Sequence, residues 1–211
     1  MTLQEIENIY RDQDRFEMIR DATVDIQKYS TYAIGSLINW FVEQMPRDYV
    51  YLDVGTWQGF SLICGALSNP NKQCIGVDDF SQTDGFTELI NNIVPYRNIF
   101  FWRGSYQKYF QQHTKPIGVF HYDADHREDC QCYALMLARP FYQPGSIIIV
   151  DDWNWKHVQD GVKNFLKWNR DFEIVFEESY GEKPISECNL WNGIAILRRH
   201  DGKINKRRYK L

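Results

Sequence analysis

Acidic residues follow four strand-like segments of this 211-residue chain. They are Asp53, Asp78 with Asp79, Asp123 with Asp125, and Asp151 with Asp152. Because parallel strands bring their carboxyl ends to one edge of a sheet, we expect these side chains to converge there. If the strands before Asp123 and Asp151 are neighbours, Asp123 lies close to Asp151 and Asp152. Such carboxylates repel one another, so either one of them holds a proton or a cation lies between them.

Several carboxylates in one place favour a hard divalent cation, Mg²⁺ first and Ca²⁺ or Mn²⁺ next. The sequence therefore predicts a metal site at Asp123, Asp151 and Asp152. The alternative is that one of these acids caps the following helix and the others are solvated.

A glycine turn follows the first of the acids, with Gly55 and Gly59 four residues apart. A dinucleotide fingerprint, G-x-G-x-x-G, needs a middle glycine so that the backbone can approach a pyrophosphate. Trp57 occupies that position, which disfavours NAD and favours a cofactor without phosphates, such as S-adenosylmethionine. The alternative is that the glycines serve only the turn. If Gly55 is the approach point, we expect Gly55→Val to abolish cofactor binding and leave the fold largely intact.

The next two strand ends carry candidates for the nucleoside part of such a cofactor. Asp78 lies 23 residues after Gly55, close to the spacing at which a carboxylate holds a ribose diol. A carboxylate accepts two hydroxyl donors at once, so Asp78, with Asp79 beside it, is the predicted ribose site. The alternative is a solvated loop acid. Gly104 and Ser105 are small residues that allow a flat ring to approach, and they are the adenine-site candidates.

The elements that must position these residues alternate between strands and helices. Residues 2–45 are predicted to be helical, with a break at 28–31 and Ser30 or Thr31 capping the second helix, and to cover the sheet or its cleft. The predicted strands are 49–53, 73–77, 98–102, 117–122, 146–150, 172–177 and 193–198. The fifth is a continuous apolar run of the buried parallel type, and Pro144 with Gly145 is read as a turn before it.

Composition narrows the class of protein. The length fits one domain, 1–211, and the net charge of −4 gives no basic field for nucleic acid, although residues 199–211 form a basic tail. No apolar run approaches the roughly 18 residues of a membrane span. Five cysteines and a polar start after Met1 favour a reduced, cytoplasmic setting.

Three motifs together carry a family resemblance over residues 48–198. Residues 52–61, Leu-Asp-Val-Gly-Thr-Trp-Gln-Gly-Phe-Ser, resemble the cofactor turn of class I S-adenosylmethionine-dependent methyltransferases, most of all the catechol O-methyltransferase branch. Residues 122–126, Tyr-Asp-Ala-Asp-His, are similar to the D-G-D-H segment of bacterial small-molecule methyltransferases, with Ala124 in place of the usual Gly. Residues 149–153, Ile-Val-Asp-Asp-Trp, resemble their I-I-D-D-Y segment, and macrocin-type sugar O-methyltransferases share a comparable pair of acidic motifs.

The resemblance implies a fold, a cofactor and an acceptor. The fold is a Rossmann-like α/β three-layer sandwich with a seven-stranded, mostly parallel sheet and an antiparallel last strand. The predicted helical extension over 1–47 falls outside the resemblance. The reaction is methyl transfer from S-adenosylmethionine to a small-molecule hydroxyl, on a diol or an aromatic compound, with Mg²⁺ chelating a vicinal diol. A homodimer is left open. The cofactor-binding residues expected are Asp53, Gly55, Thr56, Trp57, Gly59, Ser61, Asp78, Asp79, Gly104, Ser105 and Asp123.

The resemblance also implies a base, Asp125 or His126, that removes the acceptor proton. Alternation along an extended strand would point Asp125 the same way as Asp123 and His126 the opposite way, so Asp125 is preferred. Three tryptophans, Trp57, Trp153 and Trp155, are read either as walls of an aromatic acceptor site or as core residues. Two other functions stay open: a metal-independent methyltransferase of the same fold, acting on nitrogen or an isolated hydroxyl, and a non-catalytic protein that binds S-adenosylmethionine.

Overall fold

The computed structural model describes residues 2–82, 84–179, 183–184 and 189–201. Most of the predicted basic tail, residues 202–211, lies outside this part of the chain, as does Cys188.

Seven strands form one sheet in the described chain. They are β1 Val50–Val54, β2 Gln73–Asp78, β3 Ile99–Arg103, β4 Ile117–Tyr122, β5 Tyr142–Asp151, β6 Phe172–Glu178 and β7 Ile194–Arg199. Their order is β3-β2-β1-β4-β5-β7-β6, and β7 runs antiparallel to both of its neighbours. The other pairs are parallel, which confirms the predicted fold.

Helices cover both faces of the sheet. They are α1 Leu3–Tyr10, α2 Gln13–Thr23, α3 Tyr32–Gln44, α4 Phe60–Ala66, α5 Phe86–Ile93, α6 Tyr106–Phe110, α7 Glu128–Ala138 and α8 Lys156–Trp168. The region predicted to be helical at 2–45 forms three of them, because side chains cap a new start twice after α1. Asp12 accepts from the backbone N–H of Arg15, and Thr31 accepts from that of Ile34.

Strand alternation divides the core into two layers. Tyr51, Val119 and Ile149 face a layer that contains α3 and α4, whereas Leu52 and Phe120 face a layer that contains α7 and α8. Both layers are needed because the central strands are buried on their two faces. The N-terminal helices therefore cover the sheet, as predicted.

The predicted turn at Pro144 and Gly145 is wrong. Both residues lie inside β5, which begins at Tyr142. The register against β4 shifts between the Ile117↔Tyr142 pair and the Val119↔Ile147 pair, so the segment forms an irregular, partly exposed start of the strand. Pro144 is tolerated where the ladder is interrupted.

Among the described helices, none is both long and apolar enough to cross a bilayer.

Candidate active site

A cavity of about 570 Å³ opens beyond the carboxyl ends of β1 and β4. The strand order reverses between these two strands, and ligands of open α/β sheets bind in the crevice at such a point. The volume falls within the range of small-molecule pockets, roughly 300–1,000 Å³. The sequence-predicted residues that line it are Gly55, Thr56, Trp57, Ser61, Asp78, Asp79, Gly104, Ser105, Asp123, Asp125, His126, Asp151 and Asp152. Two others, Asp53 and Gly59, do not line it.

Gly55 lies where the ends of β1 and β4 come together, at the point where the strand order reverses. Its φ is +90°, and a Cβ added there would lie 1.9 Å from the carbonyl oxygen of Asp123 and 2.9 Å from the amide nitrogen of Ala124. No side chain fits that space. The expectation that Gly55→Val would leave the fold largely intact is therefore wrong, because the glycine is needed for backbone packing whether or not a ligand is bound.

Gly59, at φ +95°, begins α4, and a Cβ there would lie 2.8 Å from Leu89 Cδ1. A glycine at position 59 is therefore favoured by its packing against Leu89 as well as by its positive φ.

The Asp78 carboxylate fixes the glycine turn and faces the cavity. Its Oδ2 accepts a hydrogen bond of 2.8 Å from the Trp57 backbone N–H, and its Oδ1 accepts one of 2.7 Å from that of Phe80. Burial raises the pKa of Asp78 despite these two bonds. A carboxylate offers about four acceptor sites, so two are left for hydroxyl groups.

Trp57 adopts a left-handed φ of 44°, and its indole stacks on Tyr29 with ring centroids 5.1 Å apart. Both rings line the cavity.

The two residues that follow β3, Gly104 and Ser105, also line the cavity. The Gly104 N–H donates to the Asp78 carbonyl oxygen over 2.9 Å, so the candidate adenine and ribose positions are held together through the backbone.

Asp53 is fully buried beneath the cavity floor. Its Oδ1 lies 2.7 Å from His121 Nδ1 and accepts from the Tyr51 hydroxyl over 3.2 Å, and its Oδ2 accepts from Ser61 Oγ over 2.8 Å. Burial disfavours the charged imidazole, but the bond to Asp53 outweighs it and raises the pKa of His121 to about 9. Asp53 therefore orients the side chains of two residues that line the cavity, Ser61 and His121.

Three carboxylates converge at the ends of β4 and β5, as predicted. Asp123 lies in two groups whose ligand atoms are within 4.8 Å of one another, one with His121 and Asp151 and one with His126 and Asp152. Burial raises the pKa of Asp123 to about 6, and the Asp152 charge adds to this rise. Burial and the Asp123 charge raise the pKa of Asp151 well above its usual range.

The donor set fits a divalent cation. Buried like charges require a proton or a cation, and carboxylate oxygens suit a hard ion such as Mg²⁺. A second observation points the same way: His121 Nε2 is buried and has no hydrogen-bond partner. His121 belongs to the group with Asp123 and Asp151. Because Asp53 holds Nδ1, only Nε2 is left for a ligand, which is the arrangement in which a carboxylate orients a metal-binding histidine.

His126 lies among the acids, contrary to the expected side-chain direction. Its Nε2 is 3.1 Å from Asp152 Oδ2 and 3.6 Å from Asp123 Oδ1. The alternation argument fails because β4 ends at Tyr122 and the chain bends before α7. Asp125 is engaged elsewhere, since both of its oxygens accept from Arg127 Nε over 3.1 Å. Burial acts to raise the pKa of Asp125, but these bonds outweigh it and lower the pKa.

The tryptophans divide between core and cavity. Trp153 is buried, and its Nε1 donates to Glu177 over 3.0 Å, so it is a core residue. Trp155 lines the cavity beside His126, with ring centroids 5.0 Å apart.

Several cavity residues were not predicted from the sequence. Asn192, in the loop before β7, donates to Asp152 Oδ1, and Trp191 precedes it. His121 is aligned with Asp53 in the β1–β4 register, and its position two residues before Asp123 in the strand was the signal for it.

Comparisons with known proteins agree with this fold. A methyltransferase domain family matches residues 52–153. The O-methyltransferase TomG from Streptomyces achromogenes, involved in tomaymycin synthesis and solved with S-adenosylmethionine, is 14% identical, with 89% of this chain and 90% of that chain covered and a TM-score of 0.63.

An O-methyltransferase from Bacillus cereus, solved with S-adenosylhomocysteine, is 14% identical, with 89% and 91% covered and a TM-score of 0.62. These two likenesses concern the fold. No match was found among curated proteins. The domain match and the shared fold confirm the predicted resemblance to class I S-adenosylmethionine-dependent methyltransferases.

Proposed function

We propose that this S-adenosylmethionine-dependent methyltransferase moves a methyl group to a hydroxyl oxygen of a small molecule, assisted by a divalent cation. The observation that carries the proposal is a single cavity lined both by the glycine turn with Asp78 and by Asp123, Asp151 and Asp152. A cofactor held at the turn therefore shares its space with an acceptor held at the acids. The two structural neighbours are O-methyltransferases by name, which supports oxygen as the accepting atom.

The cofactor end is built from hydrogen-bond acceptors and small residues. Asp78 has two acceptor sites left for the ribose hydroxyls, and Gly104 and Ser105 leave room for the adenine ring. S-adenosylmethionine supplies the methyl group from its sulfonium centre. The contribution of these residues to the rate is to hold the donor in line with the acceptor oxygen.

The acid end is the proposed cation site. A bound Mg²⁺ or Mn²⁺ supplies Lewis-acid stabilisation to an oxygen that is losing its proton. Asp123, Asp151 and Asp152 would hold the ion, and His121, whose Nε2 has no hydrogen-bond partner, belongs to the same set of potential ligands. Asn192 fixes the orientation of Asp152 by donating to its Oδ1.

In this proposal, His126 receives the acceptor proton. Its Nε2 lies 3.1 Å from Asp152 and lines the cavity, whereas the Asp125 carboxylate is bound by Arg127. The sequence-based preference for Asp125 stays an untested prediction, and these contacts favour His126 instead.

The acceptor is proposed to be a small molecule with an aromatic ring or a vicinal diol. Trp155 and Trp191 line the cavity together with the acids, so a flat ring can pack beside the reacting oxygen.

One observation favours a second candidate, methyl transfer without a metal. His126 and His121 both lie within the acid groups, and the pKa of His121 is raised to about 9. The His121 imidazolium can thus neutralise part of the acidic charge in place of an ion. Activity that survives a chelator would select this candidate.

The experiment is a methyl-transfer assay with labelled S-adenosylmethionine against catechols and vicinal diols, with Mg²⁺, with Mn²⁺ and with EDTA. Labelled ether product that needs the metal supports the proposal. Asp78→Asn keeps one side-chain oxygen that can accept from the backbone but loses the charge, so it is expected to weaken S-adenosylhomocysteine binding about tenfold. Asp48→Asn, at an exposed position outside the cavity, is the control. Unchanged affinity in Asp78→Asn would move the ribose contact elsewhere.

A further inference from the structure

Lys28 is a cation at the cavity wall with an unusual set of neighbours. It lies in the break between α2 and α3, and its side chain is partly buried. The ammonium is 4.7 Å from the centroid of the Tyr32 ring and 5.4 Å from that of Phe60. It donates to the carbonyl oxygens of Thr23 and Ile26 over 3.5 and 3.3 Å.

These neighbours leave the charge incompletely matched. Among the ion pairs of the described residues, none involves Lys28. The two carbonyl contacts are long, and ring faces attract a cation less strongly than a carboxylate does. A partly desolvated ammonium held in this way is a favourable partner for an anion that enters the cavity.

The cavity wall next to Lys28 indicates which anion. Phe60, whose ring contacts Lys28, is followed in the chain by Ser61, and all three residues line the cavity. Ser61 Oγ donates its proton to Asp53, so its lone pairs are free to accept from a ligand. An anion site at Lys28 and an acceptor site at Ser61 match the carboxylate and the ammonium of an α-amino acid.

We propose that Lys28 binds the α-carboxylate of the methionine part of S-adenosylmethionine, with Ser61 accepting from its ammonium. This inference rests on the proposed function and adds a binding residue from outside the matched domain, which begins at residue 52. It also gives the N-terminal helices a role, because α2 and α3 hold the segment that carries Lys28 beside the glycine turn.

The test is a binding cycle that removes the charge from the protein and the carboxylate from the ligand. Calorimetry measures S-adenosylhomocysteine and its decarboxylated analogue on the parent protein and on Lys28→Met. The parent is expected to prefer S-adenosylhomocysteine by roughly ten- to a hundredfold, the range of a charged hydrogen bond. Lys28→Met should lose most of this preference, and Lys28→Arg should keep part of it. Lys108→Met, on the exposed face of α6, is the matched control.

The outcomes are separable. If Lys28→Met binds both ligands more weakly by the same factor, Lys28 only supports the local fold and the inference is wrong. If the parent does not distinguish the two ligands, the carboxylate is not held and the inference is again wrong. If the parent binds neither ligand, the proposed cofactor itself is wrong. Should Lys28→Met not fold, Lys28→Arg decides the question. A smaller preference for S-adenosylhomocysteine over its decarboxylated analogue than in the parent supports the inference, and an identical preference contradicts it.

Discussion

His121 Nδ1 lies 2.7 Å from Asp53 Oδ1, and neither side chain is more than 2% exposed. The two residues are directly paired in the β1–β4 register, so this contact joins the strand ends on either side of the reversal point. Because Asp53 holds Nδ1, the other nitrogen, Nε2, is left without a hydrogen-bond partner, in a residue that lies in one group with Asp123 and Asp151. A buried pair beneath the cavity thus sets the orientation of a residue that lines it.

This pair predicts a pH-dependent contribution to stability. The folded pKa of His121, about 9, is above the unfolded value of 6.5, so the contribution is fully present below pH 6.5 and is lost as the pH rises through 9. With chelator present, we expect Asp53→Asn to melt below the parent at pH 6.5 and the gap to narrow toward pH 9.5. A gap that stays constant or widens over this range would contradict an ionic pair.

The acid cluster predicts opposite effects of one substitution with and without metal. With chelator at pH 7.5, Asp151→Asn should melt above the parent, because burial and the Asp123 charge disfavour the ionised Asp151 carboxyl in the folded parent. Each kcal/mol gained corresponds to roughly 2–4 °C. The advantage should shrink as the pH falls through about 6, where Asp123 takes up a proton. Its folded pKa is raised, so protonation stabilises the folded parent.

Adding Mn²⁺ or Mg²⁺ should reverse the order of melting temperatures, since only the parent keeps all three carboxylates. Thermal melts over a metal titration measure this, with Asp48→Asn as the surface control. If the parent gains nothing from either metal, the proposed cation site is wrong.

The close approach at Gly55 predicts a loss of stability that goes beyond its positive φ. Gly145 has a similar φ of +86°, but a Cβ there meets nothing within 4 Å. Gly145→Ala should cost about 1–2 kcal/mol from the backbone conformation, and Gly55→Ala about 2–5 kcal/mol because overpacking adds to it. Chemical denaturation measures both. Equal losses would mean that the β4 backbone moves away at little cost.

The position of His126 among the acids predicts which variant loses turnover. His126→Gln should lower kcat by about 10²–10⁴, the usual contribution of a general base, with S-adenosylhomocysteine affinity unchanged. Asp125→Asn should keep most of its turnover, because its carboxylate is bound by Arg127. Both are measured with the best acceptor of the diol panel at saturating cofactor. The reverse pattern, with Asp125→Asn inactive, would restore the sequence-based assignment.

Many residues of this site could be predicted from the sequence because they lie at the ends of strands, and sequence patterns locate strand ends well. Asp123 and Asp151 converge because β4 and β5 are parallel neighbours, and Gly55 and Asp78 line the cavity because they lie at the carboxyl ends of β1 and β2. The direction of His126 was mispredicted because strand alternation does not continue past Tyr122.

Other features depend on contacts between distant segments. His121 reads as an ordinary strand residue until the β1–β4 register pairs it with Asp53. Lys28 and Asn192 lie in loops outside the three sequence motifs, and they line the cavity. No local sequence pattern predicts that these two loops lie beside it. The irregular start of β5 likewise arises from its pairing with β4, which the Pro144–Gly145 dipeptide does not show by itself.

The most direct test of the central claim is a crystal structure of the protein grown with S-adenosylhomocysteine and Mn²⁺, with anomalous data collected for the metal. We expect one nucleoside in the cavity, its ribose on Asp78, and one anomalous peak among the carboxylates of Asp123, Asp151 and Asp152. An empty cavity at saturating ligand, or a bound nucleoside with the acids bridged only by His126 and no anomalous peak, would contradict metal-assisted methyl transfer at this site.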